Sequence, residues 1–190
     1  TKPISILDCD REGRVWIVVE NSDVFCYDPQ TRGIECRYKP RKPLRSLASD
    51  KNGVIWFAGY GGGLYCTEDL FQNVKPFLDA DGQEIYPKDI ISFIRLSDYN
   101  EMYLGLEEHG VAKVDLVAGT VTRLRLSDNP DAPLFVRHIL PYSPDELWIG
   151  TEKGLDLYDP VTESFVKYHA DNDSLRLLNN LRIRCIHDDP

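Results

Sequence analysis

Histidines and carboxylates are the residues of this chain that could carry out catalysis, but their spacing builds no catalytic or metal site. The histidines are scattered, without a pair at metal-ligand spacing: His109, His138, His169 and His187. The sequence contains no nucleophile elbow and no phosphate-binding loop. Residues 79–82 (DADG) are too short for a calcium-binding loop and predict a turn. Although the 31 acidic residues could hide the carboxylate pair of a glycosidase, nothing selects that pair. We predict no catalytic residue, no metal site and no cofactor.

The charge and composition exclude several classes of protein. The 190 residues carry 22 basic and 31 acidic side chains, a net charge of −9, which repels phosphate backbones and argues against nucleic acid as a partner. With 42% hydrophobic residues the chain is expected to fold and bury a core. No run approaches the roughly 18 apolar residues of a membrane-spanning helix, and the start lacks the pattern of a secretory signal. We expect a segment without membrane contact, excised from a longer protein.

Five cysteines are dispersed along the chain, and no Cys-x-x-Cys pair of the kind that binds zinc occurs; they are Cys9, Cys26, Cys36, Cys66 and Cys185. Each lies in an apolar or alternating stretch, which favours small buried hydrophobic residues. A cross-strand disulfide between Cys26 and Cys36 is the alternative.

An internal repeat organises the whole sequence. Four aromatic-centred apolar triplets recur, with their aromatic residues at Trp16, Trp56, Tyr103 and Trp148, in steps of 40, 47 and 45 residues. A repeat of this length with little helical periodicity is typical of β-propeller blades.

A second element of the repeat precedes each aromatic triplet. Seven-residue segments that align without gaps occupy residues 4–10, 44–50, 91–97 and 136–142, and a fifth copy occupies residues 183–189. The first and fourth positions are aliphatic in every copy: Ile4 and Leu7, Leu44 and Leu47, Ile91 and Ile94, Val136 and Ile139, Ile183 and Ile186. We interpret this segment as the first strand of each blade and the aromatic triplet as the second.

The connections support four strands in each repeat. Asp10 with Gly13, and Asp50 with Gly53, predict a hairpin between the first two strands, because Asp bonds nearby amides and Gly adopts positive φ. Glycine-containing loops and alternating segments then predict a third and a fourth strand. A competing helical pattern over residues 173–187 leaves a short helical turn near 174–178 open.

The predicted fold is all-β: four four-stranded antiparallel propeller blades, at about 4–43, 44–90, 91–135 and 136–182, plus one extra inner strand at 183–190. We interpret Trp16, Trp56, Tyr103 and Trp148 as packing residues between blades, with sugar stacking or cation binding as the alternative. Four blades do not make the usual closed ring, so the propeller is predicted to be incomplete. Its exposed blade faces are expected to contact the remaining blades or a second copy of the chain.

One stretch carries a specific resemblance. Residues 147–160, LWIGTEKGLDLYDP, resemble the two-component regulator propeller repeat; blades 1 and 2 match it moderately, and blade 3 matches it least. The resemblance implies the periplasmic, non-enzymatic sensor region of a Bacteroides-type hybrid two-component regulator, which is an inner-membrane protein with a histidine kinase domain. It further implies a small-molecule or oligosaccharide ligand, a response to carbohydrate, and a homodimeric parent protein. A carbohydrate-active propeller enzyme and a protein-interaction propeller are the alternatives.

Binding residues are expected on the propeller face that carries the longest loops and along the inner strands. Our candidates for ligand binding are Arg45, Tyr60, His109 and Arg137; further polar groups on the loop face are Tyr86, Glu107, Glu108, Glu152 and Lys153. The inner-strand arginines could bind the carboxylate or sulfate groups of an acidic sugar. Alternatively, they pair with Asp and Glu of adjacent blades.

Overall fold

The computed structural model of the chain describes residues 2–61, 63–86, 88–97, 100–107, 109–124, 135–143, 146–165 and 181–187. Within these ranges the chain forms sixteen strands in four antiparallel sheets and no helix. In each sheet the four strands lie side by side in chain order. The predicted all-β architecture of four four-stranded blades is confirmed.

The strands of each blade follow one another through short connections. Blade 1 consists of β1 (Ile4–Cys9), β2 (Val15–Val19), β3 (Asp23–Asp28) and β4 (Gly33–Tyr38). Blade 2 consists of β5 (Leu44–Ser49), β6 (Ile55–Gly59), β7 (Leu64–Thr67) and β8 (Lys75–Pro76). Blade 3 consists of β9 (Ile91–Leu96), β10 (Glu101–Leu106), β11 (Gly110–Asp115) and β12 (Val121–Arg123). Blade 4 consists of β13 (Val136–Ser143), β14 (Glu146–Thr151), β15 (Gly154–Asp159) and β16 (Ser164–Phe165).

The hairpins that open blades 1 and 2 have the predicted chemistry. Asp10 Oδ1 accepts a hydrogen bond from the Arg14 amide at 2.9 Å, and Asp50 Oδ1 accepts one from the Asn52 amide at 2.8 Å. Gly13 adopts a φ of +80°, which a residue without Cβ reaches at little cost.

The same aspartates also hold the central aromatic residue of the second strand, which the sequence did not indicate. The indole Nε1 of Trp16 donates to Asp10 Oδ2 at 2.8 Å, and that of Trp56 donates to Asp50 Oδ2 at 3.1 Å. Burial acts to raise the pKa of Asp10, but hydrogen bonds from Trp16 and Arg14 outweigh it and hold the pKa below its usual value. A buried carboxylate therefore satisfies the one polar atom of a core tryptophan.

The core lies between blades rather than within them. Trp16 is fully buried in a cluster shared by blades 1 and 2, Trp56 lies in the cluster of blades 2 and 3, and Tyr103 lies in that of blades 3 and 4. Repeating one aromatic residue at one strand position thus fills each inter-blade space in turn. For these three residues the predicted packing role is confirmed.

Serines on the inner strands join neighbouring blades by hydrogen bonds. Ser46 Oγ in β5 accepts from the Ile94 amide in β9 at 2.9 Å, and Ser92 Oγ in β9 donates to the Val136 carbonyl in β13 at 2.8 Å. Both serines are buried. The polar side chains at these two positions therefore hold the blades in register.

The two ends of the blade array leave apolar side chains uncovered. Ile4 and Leu7 are 61% and 64% exposed, whereas their equivalents in blade 2, Leu44 and Leu47, are 4% and 5% exposed. At the other end, Trp148 is partly exposed. The same sequence positions are therefore buried or exposed according to whether a neighbouring blade covers them.

The predicted extra inner strand, residues 183–190, has no strand pairing over its described part, residues 183–187. An inner strand is held by the second strand of its own blade, and the 190 residues contain no such second strand for a fifth blade. Residues 188–190 and the helical turn considered near 174–178 lie outside the described residues.

The fifth copy nevertheless contacts blade 4 at a first-strand position. The Ile183 amide donates to the Thr151 carbonyl at 2.9 Å. A Cβ added to Gly150 would lie 2.8 Å from Ile183 Cγ2, just as one added to Gly105 would lie 3.0 Å from Val136 Cγ1. The glycine two residues after the aromatic thus admits the first aliphatic residue of the following copy.

Candidate functional site

A cavity of about 670 Å³ lies between blades 1 and 2, beside two of the predicted binding residues. Its walls come from the β4–β5 connection (residues 39–43), the β6–β7 connection that begins at Tyr60, and the turn after β7 that contains Phe71. This volume lies within the range of roughly 300–1,000 Å³ that is usual for small-molecule sites. The cavity opens on the face where the long loops were expected to bind ligand.

Aromatic rings form the floor of this cavity. Tyr38 and Phe71 stack with centroids 4.4 Å apart and planes 12° apart, while Phe57 and Tyr65 stack at 5.8 Å and 18°. Phe57 also contacts Phe71, with centroids 5.2 Å apart. Burial raises the pKa of Tyr38, Arg41 opposes that rise, and Tyr65 adds to it, so the Tyr38 phenol is neutral at neutral pH. The floor is therefore apolar at its base and bears phenol hydroxyls.

A strained turn delivers Phe71 to this floor. Leu70 and Phe71 have φ values of +53° and +66°, a left-handed conformation that costs non-glycine residues roughly 1–2 kcal/mol each. Thr67 Oγ1 accepts from the Phe71 amide at 3.2 Å, and Asp69 Oδ1 accepts from the Asn73 amide at 2.8 Å. These bonds hold the turn, and the hydrogen bonds from Asn73 lower the pKa of Asp69. Sequence reasoning missed Phe71 because it lies in a turn, outside the positions that repeat from blade to blade.

Two of the four predicted binding residues meet beside the cavity. Arg45 Nη1 donates to the Tyr60 hydroxyl at 2.9 Å, and the guanidinium lies 5.3 Å from the Tyr60 ring centroid. Arg45 Nη2 is also 3.9 Å from Glu107 Oε1, which follows β10 of the adjacent blade. Tyr60 itself is 39% exposed and lines the cavity.

His109 lies on the same face, one blade further on. Its Nδ1 is 3.3 Å from Asp89 Oδ1, and its backbone carbonyl accepts a hydrogen bond from Arg123 Nε at 2.9 Å. Residue Ile90, next to Asp89, forms a β-bridge with Tyr60. His109 is thus placed in the region that adjoins Tyr60, and its role in binding remains a prediction.

Arg137 is engaged within its own blade. Its Nε donates to Glu152 Oε1 at 2.5 Å, and Arg182 pairs with the other oxygen of the same carboxylate. Burial acts to raise the pKa of Glu152, but the two arginines outweigh it and lower the pKa below its usual value. Arg45 therefore pairs with a glutamate of an adjacent blade and Arg137 with one of its own blade. Glu108, another candidate, lies outside the described residues.

A second cavity, of about 530 Å³, lies along the inner strands β1, β5, β9 and β13. Burial is the main cause that lowers the pKa of His138 to about 4, and Arg95 lowers it further. His138 is consequently neutral at neutral pH, and its ring lies 4.4 Å from that of Phe93. On the opposite wall, burial raises the pKa of Asp8, whose Oδ2 accepts from the Ser49 amide at 3.3 Å.

All five cysteines are free thiols; Cys26 is buried and Cys36 and Cys66 are half-buried, but Cys9 and Cys185 are exposed, so the predicted burial is wrong for those two. Cys26 and Cys36 are direct cross-strand partners in β3 and β4, and burial raises the pKa of Cys26 to about 12.

Within the described ranges, no three His, Cys, Asp or Glu side chains are grouped so that they could hold a metal ion. The same ranges contain no helix with the length and hydropathy needed to cross a membrane.

The chain resembles known proteins at the level of solved structures. No family model and no curated protein matches the chain. Solved structures do match, including two described as extracellular domains of the Bacteroides thetaiotaomicron hybrid two-component systems BT3049 and BT4673. The chain is 20% and 19% identical to them, with TM-scores of 0.66 and 0.56, over 86% of its own length in each case.

A third match is PorZ of Porphyromonas gingivalis, described as an essential bacterial surface component of the type-IX secretion system. It is 18% identical, with a TM-score of 0.68 over 94% of this chain. The chain spans only 23%, 27% and 28% of the lengths of BT3049, BT4673 and PorZ. The chain is also similar to the β-propeller domain of Myceliophteria thermophila Cps50 (Swd1), at 19% identity and a TM-score of 0.63 over 87% of its length. The four sheets and this likeness together establish that the chain has the β-propeller fold, as an incomplete propeller.

Proposed function

We propose that this chain is part of the extracytoplasmic sensor region of a hybrid two-component regulator. The observation that carries the proposal is the likeness of almost the whole chain to two extracellular domains of such systems. The sequence LWIGTEKGLDLYDP in blade 4, which resembles the two-component regulator propeller repeat, supports it independently. In this proposal the segment is periplasmic and non-enzymatic, and the parent inner-membrane protein carries the histidine kinase.

The proposed activity is reception of a carbohydrate ligand. A cavity between two rigid blades can hold a ligand and convert its binding into a change in how the blades pack. Such a change alters signalling only if the ligand binds one state of the receptor more tightly than the other. In a homodimeric parent protein, the state that the ligand favours would determine how the two kinase domains are arranged relative to each other.

The uncovered blade faces are proposed to bind the remaining blades of the parent protein, or a second copy when the chain is alone. Ile4 and Leu7 occupy positions that an adjacent blade buries in blades 2, 3 and 4. The uncovered face therefore has the composition of the three interfaces already formed. A further blade is the partner that matches it in shape and polarity.

Incubation with a panel of neutral and acidic oligosaccharides tests the proposed reception. We expect one class to raise the melting temperature by about 5–10 °C at a hundredfold excess over Kd, because such an excess stabilises the bound state by about 2.7 kcal/mol. No product should be released. Product release would contradict the sensor proposal in favour of a carbohydrate-active enzyme, and the absence of any shift would favour a protein-interaction propeller.

The proposed coupling between ligand binding and kinase activity is tested in the full-length parent protein, reconstituted in membrane vesicles. A saccharide that binds this chain is expected to change the rate of kinase autophosphorylation, whereas a non-binding saccharide of the same size should not. A parent protein that lacks a kinase domain, or a kinase rate that does not respond, would contradict the proposal.

A further inference from the structure

The β4–β5 connection concentrates positive charge in an acidic chain. Five of the 22 basic residues fall within the nine residues from Arg37 to Arg45, and no acidic residue occurs between Glu35 and Asp50. The chain as a whole has a net charge of −9. This local reversal of charge adjoins the cavity between blades 1 and 2.

Three of these five cations have no acidic partner in the part of the chain that the structure describes. Arg37 pairs with Asp23, and Arg45 lies near Glu107. The three cations without an acidic partner are Lys39, Arg41 and Lys42. Their side chains are exposed, and all three line the cavity. Their charges are therefore available to an anion at the cavity rim.

The rim is also held in place. Two prolines, Pro40 and Pro43, flank Arg41 and Lys42, and each fixes its own φ near −65°. The Pro43 carbonyl accepts a hydrogen bond from the Tyr60 amide at 3.1 Å, which ties the basic connection to the opposite wall. A preorganised loop loses less conformational entropy when it binds.

The floor beneath the cations offers flat surfaces to a ring. In the floor, Tyr38 and Tyr65 are half-buried with hydroxyls that can donate or accept hydrogen bonds, and on the adjoining wall Tyr60 is exposed. Amphipathic aromatic rings of this kind give an apolar face and a polar edge to the same ligand. A ligand that suits both parts must combine a ring with negative charge.

We propose that this cavity binds an acidic saccharide. Its sulfate or carboxylate groups pair with Lys39, Arg41 and Lys42, and a sugar ring lies against Tyr60 and the Tyr38–Tyr65 side of the floor. The choice of a saccharide rests on the proposed function above. The anionic character rests on the three unpaired cations. The location differs from the inner-strand arginines, which the sequence analysis gave as one possible site for an acidic sugar.

Calorimetric titration of the chain tests the inference with three tetrasaccharides: a chondroitin 4-sulfate, an oligogalacturonate and a neutral galactan. At least one acidic ligand should bind ten or more times as tightly as the neutral one, and raising the salt concentration should weaken it. The double variant Arg41→Glu/Lys42→Glu should weaken that binding at least tenfold. Both residues are exposed, so the fold should persist, as circular dichroism can verify. The matched control is Lys75→Glu, an exposed charge reversal in β8 of blade 2 outside the cavity, which should leave Kd within twofold.

Each other outcome overturns the inference. Inorganic sulfate or adenosine monophosphate binding as tightly as the acidic saccharides would show an anion or nucleotide site instead. Saccharide binding that the double variant leaves unchanged would place the ligand elsewhere and would leave the proposed function intact. Failure of every acidic saccharide to bind would also overturn the inference, whereas the proposed function would still be decided by the kinase response of the full-length protein.

Discussion

Trp16→Ala is expected to lower the free energy of unfolding by about 3–5 kcal/mol, the usual cost of removing a buried aromatic side chain. Trp16 is fully buried between blades 1 and 2, where its ring contacts Phe71 with centroids 5.7 Å apart. The substitution also removes the indole donor that satisfies buried Asp10. Urea denaturation followed by circular dichroism measures the loss.

Trp148→Ala is the matched control, because it makes the same change at the same repeat position in a partly exposed residue. We expect it to cost less than about half as much, since less contact area and a smaller cavity are involved. If Trp16→Ala and Trp148→Ala lowered the free energy of unfolding equally, this would contradict the view that the following blade buries the aromatic residue at this repeat position.

Gly59→Ala is expected to destabilise the chain by about 3 kcal/mol or more, at or beyond the upper end of the usual cost of overpacking. A Cβ on Gly59 would overlap the Pro43 carbonyl oxygen and would lie 2.8 Å from Leu44 Cα. Both are backbone atoms, so the clash cannot be relieved by rotating a side chain. The β4–β5 connection and the start of β5 would have to move away from β6.

Gly82→Ala separates this steric effect from backbone strain. Gly82 has a φ of +76° and nothing within 4 Å of an added Cβ, so its substitution should cost only about 1–2 kcal/mol. Thermal unfolding of both variants makes the comparison. A Gly59→Ala variant no less stable than Gly82→Ala would show that the β4–β5 connection and the start of β5 do not approach β6 as closely as the structure has them.

The fold followed from the sequence because the same few residue types repeat at the same places in every blade. An aliphatic residue at the first and fourth positions of the inner strand, and an aromatic residue in the second strand, each fill a defined part of an inter-blade space. Four copies of one pattern reinforce one another where a single copy would be ambiguous. The repeat did not indicate the hydrogen bonds from Trp16 and Trp56 to Asp10 and Asp50. It also did not indicate that residues 183–187 lack a partner strand.

The candidate site was predictable in its location but not in its composition. The long-loop face and Tyr60 came from the repeat, since loops occupy fixed places between strands. Phe71 reaches the cavity through a left-handed turn that has no counterpart in the repeating pattern. The pairing of Arg137 with Glu152 depends on side-chain geometry across two strands, which a sequence does not show.

The charge of the β4–β5 connection was visible in the sequence, but its meaning was not. A run of basic residues usually forms a solvated surface. Only the structure places Lys39, Arg41 and Lys42 around a cavity with an aromatic floor. A run of like charges indicates a binding site only when the fold places it around a concave surface.

The most direct test of the account is the mass of the protein in solution. The uncovered apolar faces of an incomplete propeller are expected to associate with those of other copies. Light scattering at micromolar concentration is expected to give a multiple of the 21.8 kDa chain mass. Leu7→Asp, which places a charge on the uncovered face of blade 1 at a 64% exposed position, should return the mass to that of one chain without loss of β structure. A well-folded chain that remains strictly monomeric at every concentration would contradict the account.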